Sequence, residues 1–206
     1  MPRRARQEII SPNALYHVVS RGNNQRRIFR DPKDYRKFLK IIKQVKEERP
    51  FYLYSYNFLP NHYHLEIETL NIPISKIMHQ INFLYVNYFH RRYKTSGHLF
   101  QDRFYSSLID KENYFWECSR YIDLNAVRAG LVKNPQDYQW SSYLIYYQKN
   151  YKKKLKKIID QERFLKFGEN NLEKSRLSYL EFVEGELETK KDHDFRPEFV
   201  KNKWMV

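Results

Sequence analysis

The sequence predicts an α+β fold: a ferredoxin-like antiparallel sheet with helices on one face and a C-terminal helical extension. Three observations carry that expectation. Strand-period and helix-period segments follow one another in the order β-α-β-β-α-β-α. Two adjacent alternating runs are separated only by Leu59-Pro60-Asn61, which has the chemistry of a hairpin turn. After Trp140-Ser141-Ser142-Tyr143 the composition shifts, which divides the chain into a domain at 1–145 and a basic helical extension at 146–206.

The elements follow in order. Met1 to Ile10 is a basic arm with Arg3, Arg4 and Arg6. Ala14 to Ser20 is rich in β-branched and aromatic residues and reads as a strand, with Arg21-Gly22-Asn23-Asn24 as its turn. Asp31-Pro32 opens a helix as N-cap and first residue, Tyr35, Phe38, Leu39, Ile42 and Val45 recur at helical spacing, and Arg49-Pro50 ends it. Phe51 to Phe58 and His62 to Thr69 form the hairpin. Pro73 starts a second helix, Gly97 breaks the pattern, and Leu99 to Ile109 is expected as a fourth strand. A third helix is expected from about Asp110 to about Ala129, stopped by Gly130. Lys149 to Lys157 holds six lysines, amphipathic segments follow to about Leu187, and a polar tail comes after Thr189.

Composition narrows the partners. Among 206 residues, 38 Lys and Arg oppose 24 Asp and Glu, a formal charge of +14. Such an excess favours a polyanion, because each phosphate neutralised releases condensed counterions. The rival is an anionic membrane surface, but the chain has no long apolar run, signal peptide or basic amphipathic anchor at its N-terminus. Nucleic acid is therefore expected and a membrane is not. The single cysteine, Cys118, excludes an internal disulfide and a cysteine metal cage, fits a cytoplasmic setting and reads as a buried small side chain.

Two patterns carry chemistry. His62 and His64 lie two apart on a strand, so both rings share one sheet face while Tyr63 points to the core. Such a pair suits one divalent ion, with imidazole and oxygen ligands compatible with Mg²⁺, Mn²⁺ or Zn²⁺; two ordinary surface histidines would give the same spacing. On the third helix Tyr114, Cys118, Tyr121 and Asn125 fall on one stripe, which is core by default. Asn125 is a poor core residue unless its amide finds partners, and Arg120, Arg128 and Lys133 add charge to the helix and its end. His17 reads as a satisfied sheet histidine, and His98 as structural or a phosphate contact.

Five blocks, in this order, carry a resemblance. They are Ala14 to Asn24 (ALYHVVSRGNN), Leu59 to Leu65 (LPNHYHL), Gly97 to Phe104 (GHLFQDRF), Ser119 to Val132 (SRYIDLNAVRAGLV) and Asp137 to Tyr143 (DYQWSSY). The chain resembles the REP-associated tyrosine transposases, relatives of the single-strand transposases of small insertion sequences within the HUH endonuclease superfamily. The resemblance implies that His62, His64 and Asn125 bind a divalent metal, Mg²⁺ or Mn²⁺, and that Tyr121 takes the DNA 5′ phosphate covalently. It implies a single-stranded or hairpin DNA substrate for a metal-dependent endonuclease and strand transferase, acting as monomer or homodimer. Arg21, Asn23, Arg26, Arg27, Gln101, Arg103, Arg120 and Arg128 are the expected DNA contacts. The sequence departs from the family at Ala126, where proline is usual, and at Asp102, where glycine is frequent. The alternatives are a catalytically silent DNA- or RNA-binding protein that keeps the fold, and a metal-dependent hydrolase in which Tyr121 is only core.

Overall fold

The structure, a computed structural model, describes residues 13–148, 158–166 and 171–189. The basic arm, the lysine run and the polar tail expected from the sequence lie outside those residues.

Four strands form one sheet in the order β2-β3-β1-β4, with every pairing antiparallel. They are β1 (Leu15–Arg21), β2 (Phe51–Leu59), β3 (His62–Thr69) and β4 (Tyr105–Ile109). The register sets Val19 and Asn57 on either side of His64, and Arg21 and Leu59 on either side of His62. Paired residues share a face and neighbours in sequence alternate. One face therefore carries His17, Val19, Asn57, His62, His64, Glu66 and Glu68, and the other carries Tyr56, Phe58, Tyr63, Leu65 and Ile67.

The expectation of helices on one face holds for α1 (Pro32–Glu48) and α2 (Ile74–Tyr93), which cover the apolar face. Asp31 caps α1 by accepting from the Lys33 amide at 2.7 Å, and Pro32 takes the first position, where its missing N–H costs nothing. The Phe38 ring of α1 lies 5.1 Å from Phe58, 4.8 Å from Tyr63 and 4.9 Å from Tyr85 of α2. Each such aromatic pair adds about 1 kcal/mol beyond the area it buries. Arg92 and the hydroxyls of Tyr88 and Tyr93 converge on buried Asp34, which ties the end of α2 to the start of α1.

The other face is covered too. There α3 (Lys111–Asp123) lies across β2 and β3, backed by α5 (Tyr143–Tyr147), α6 (Gln161–Leu165) and α7 (Leu172–Thr189). Phe115, Tyr146, Phe164, Tyr179 and Val183 belong to the same buried cluster as the sheet. The outer edge of β2 is closed by residues 140–142, since the Phe58 amide donates to the Trp140 carbonyl at 3.0 Å and the Ser142 amide to the Tyr56 carbonyl at 2.9 Å.

Two elements differ from expectation. The fourth strand begins at Tyr105, not Leu99. Its partner β1 ends at Arg21 in a 3-10 turn over Asn23–Gln25, with Asn24 at φ +48° and Gln25 at φ +57°, so a regular ladder has nothing to continue on. Residues 99–101 instead fold onto that turn. The Asn23 amide donates to the Leu99 carbonyl at 2.9 Å, and the Gln101 amide to the Arg21 carbonyl at 2.9 Å. The third helix breaks at Leu124 (φ −83°, ψ −3°) and resumes as the single turn α4 (Asn125–Arg128).

Gly22 sits where these loops meet. A Cβ there would lie 2.2 Å from the Arg26 carbonyl oxygen, a backbone atom that cannot step aside. Gly22→Ala should therefore destabilise the fold by about 1–3 kcal/mol, read as a lowered midpoint in thermal or urea unfolding. A midpoint equal to that of the unsubstituted chain would mean that the turn is not closed in this way.

Candidate active site

The site forms where the hairpin delivers its two histidines beneath α3. The His62 and His64 ring centroids are 5.0 Å apart. The Nδ1 of His62 donates to the Asn61 side-chain oxygen at 2.6 Å, so its Nε2 carries the lone pair in the neutral ring. The Nδ1 of His64 is bonded to Nε2 of His17 at 2.9 Å, and the Nε2 of His64 is buried with no hydrogen-bond partner. Burial holds His17 down to about 3 and His62, helped by the Arg21 charge, down to about 4. Burial and the surrounding His62, His17 and Arg128 charges hold His64 well below its ordinary value. All three imidazoles are neutral at neutral pH, the state that binds metals.

Tyr121 closes the site from above. Its ring is edge-on to His17 at 5.5 Å and to His64 at 6.0 Å. The Arg128 guanidinium lies 4.9 Å from the centre of the ring, and Tyr121 is 5% exposed. The helix break places its neighbours. The Tyr121 carbonyl accepts from Asn125 Nδ2 at 2.8 Å and from Arg128 Nη1 at 2.9 Å. The next two carbonyls, of Ile122 and Asp123, accept from Asn57 Nδ2 of β2 at 2.9 and 3.3 Å. Side-chain amides thus cap the end of α3. Because Asn125 donates to Tyr121, its Oδ1 is left for another donor or a cation.

Asp123 anchors the same turn from within. It is fully buried and accepts from Ser55 (3.2 Å), Ser141 (3.2 Å), Ser142 (3.0 Å) and Tyr179 of α7 (2.7 Å). Burial raises its carboxyl to about 6 against the pull of those hydroxyls. One turn back, Ser119 donates to buried Glu66, whose carboxyl burial pushes well above the carboxylate range.

Among the described residues, no three His, Cys, Asp or Glu side chains converge on one point. Any metal on His62 and His64 would need oxygen donors of other kinds, such as an amide or a phosphate. The orphaned Nε2 of His64 and the neutral rings fit such a role.

The profile of the family described as "Transposase IS200 like" matches residues 11–125, more than half of the chain, from before β1 through Tyr121 and Asn125. The chain belongs to the IS200-like transposase family. A solved structure described as "Structure of the REP associates tyrosine transposase bound to a REP hairpin" shares its fold, with a TM-score of 0.59 and 21% identity over 71% of this chain and 86% of that one. No curated protein matches the chain.

The remaining expected contacts of this IS200-like transposase fall into two groups. Arg21 is paired with His62 in the sheet, and Asn23, Gln101 and Arg103 gather beside it through the folded-back loop, with Arg26 and Arg27 on the adjoining turn. Arg103 and Gln101 therefore sit in a loop, not on the alternating strand the sequence predicts. Arg120 and Arg128 are instead engaged within the protein: both bind Glu186 of α7, at 2.9 and 2.8 Å, and Arg120 also stacks on Phe182 at 3.8 Å. Cys118 is buried as expected. Sequence reasoning missed His17 as a partner of His64, although both fall on period-2 strands. It also missed the roles of Asn57, Asp123 and Ser141-Ser142, which only the pairing of distant segments reveals.

Asp123→Ala would remove the acceptor shared by four hydroxyls, of which Ser142 keeps the Tyr56 carbonyl and Ser55 the Ser142 oxygen, and free the end of α3. The transposase should lose about 3 kcal/mol in urea unfolding, with a smaller loss for Asp123→Asn. Equal stability of all three proteins would show that the anchor is dispensable.

Proposed function

We propose that this IS200-like transposase is an HUH-type single-stranded DNA endonuclease and strand transferase with Tyr121 as its nucleophile. The observation that carries this reading is the meeting of Tyr121 with the neutral His62–His64 pair under one helix turn. The Tyr121 oxygen would form a bond to phosphorus while the bond to the 3′ oxygen breaks. The phenolic proton leaves, the 3′ oxygen gains one, and the products are a 5′-phosphotyrosine and a free 3′-OH. Because the ester retains the bond energy, another 3′-OH can reverse the step and rejoin strands.

His62, His64 and the Oδ1 of Asn125 would hold the ion, Mg²⁺ or Mn²⁺. When bound, it supplies Lewis-acid stabilisation of the phosphate oxygens. The protein's own part is positioning. Arg128 and Asn125 fix the Tyr121 backbone, and a helix-borne tyrosine requires a strand that can turn its phosphate into line. That requirement favours unpaired DNA, and the similar solved structure, described as bound to a REP hairpin, supports a hairpin beside it. We place the protein in the cytoplasm, as monomer or homodimer; no described helix is long and apolar enough to cross a membrane.

His17 belongs in this reading as a positioning residue. A ligating His64 needs its lone pair on Nε2, hence a proton on Nδ1, and Nε2 of His17 at 2.9 Å is the acceptor for it.

Tyr121→Phe should abolish the covalent adduct on single-stranded DNA, seen as a denaturing-gel shift, and leave binding nearly intact. A phosphotyrosine located by mass spectrometry at Tyr114 would reassign the nucleophile. Calorimetric titration with Mn²⁺ tests the rest. His64→Ala should remove binding, and His17→Phe should weaken it about 10- to 100-fold, with partial rescue in His17→Gln, whose carbonyl can accept the same proton. Unchanged Mn²⁺ affinity in His64→Ala would rule out the ligand role.

A further inference from the structure

The outward side of α2 carries an aromatic pair that the proposed chemistry does not use. Phe83 is 55% exposed and lies parallel to His79, with ring centroids 6.2 Å apart and 7° between planes. Both rings line a cavity of about 830 Å³ between α2 and residues 97–104. Its inner wall includes Leu99, Phe100 and Phe104, all buried, and its polar lining includes Asn82 and Gln101. Tyr63 donates to the Asn82 oxygen at 2.5 Å, which leaves the Asn82 amide hydrogens for a ligand.

The cavity continues in both directions. It shares Gln101, Asp102 and Arg103 with a smaller cavity of about 180 Å³ that reaches Arg21, the sheet partner of His62. On the other side it shares His79 and Phe83 with a third that is lined by Lys76 and Arg49. A trough with cations at both ends and aromatic rings between them thus leads away from the candidate active site.

We propose that this trough binds the unpaired bases of the DNA strand next to the scissile phosphate, with one base stacked on Phe83. The inference rests on the single-strand reading of the function. A nucleobase has a flat apolar face and a hydrogen-bonding edge, which match the ring of Phe83 and the polar lining. Lys76 and Arg49 at one end and Arg21 and Arg103 at the other suit a phosphate backbone passing over it. Asp102 argues the same way. Its carboxylate, which accepts from the Arg103 amide at 2.7 Å, disfavours a phosphate locally and suits the N–H of a base edge, the thymine imide included. A lipid chain has no use for the polar lining, and bases stacked inside a duplex cannot reach Phe83.

The test uses the full chain with chelator present, so that binding is read without cleavage. Affinities are measured for single-stranded oligothymidylate and for a duplex of equal length across a salt series. Phe83→Ala, at an exposed position, should weaken single-strand binding about tenfold with the salt slope and duplex affinity unchanged, and Phe83→Trp should restore it. Ultraviolet crosslinking of a bromodeoxyuridine oligonucleotide should label peptides of α2 or of residues 97–104. Wild-type single-strand affinity in Phe83→Ala, or an equal loss for both DNA forms, overturns the trough. The Tyr121 adduct, assayed separately with metal, keeps the two readings apart. An adduct without any Phe83 effect removes only the trough. A Phe83 effect without an adduct supports the trough and removes the nucleophile.

Discussion

A sheet face that is both polar and buried constrains the whole molecule: its groups need partners that water cannot supply. The face bearing His17, Asn57, His64, Glu66 and Glu68 is sealed from water. Leaving such groups unanswered would cost about 1–3 kcal/mol each. The covering layer and the sheet itself answer many of them, while the His64 Nε2 is left open. Asn57 caps the end of α3, Ser119 meets Glu66, and Tyr54 with Arg163 meets Glu68. Asp123 gathers serines from two further segments. Tyr121 is held over the histidines because the hydrogen bonds of its own helix end are supplied by this layer.

The same accounting divides the cations. The formal charge of +14 describes the chain, not its surface. Arg92 is committed to Asp31 and Asp34, Arg120 and Arg128 to Glu186, and Arg176 to Glu173. These guanidinium groups are paired with carboxylates of the chain itself, and those of Arg92, Arg120 and Arg128 tie one element to another. The cations beside His62 sit instead on the 21–27 turn and the 97–104 loop, where the backbone of β1 has run out.

Much of the fold was legible because its signals are local. The hairpin, the Asp31-Pro32 helix start and the alternation that sends Tyr63 inward all follow from periods and caps. The stripe of Cys118, Tyr121 and Asn125 is also real, and it faces the sheet. What the sequence hid depends on distant partners. The late start of β4 follows from positive φ at Asn24 and Gln25, and the break at Leu124 follows from Asn57 competing for helix carbonyls. The pairing of His17 with His64 requires a register between β1 and β3 that no local pattern states. The role of Trp140-Ser141-Ser142-Tyr143 was recognisable only as a motif; its physical content is the closing of the β2 edge and the burial of Asp123.

The clamp that α7 places on α3 has a consequence for how the protein is made. Glu186 and Tyr179 reach the tyrosine helix from residues that leave the ribosome more than fifty positions after it. During synthesis the hairpin with its histidines can pair first, since its contacts are nearby in sequence. Tyr121 gains its full set of supports only once α7 has been made. A product ending before α7 would carry the histidines without a firmly seated Tyr121.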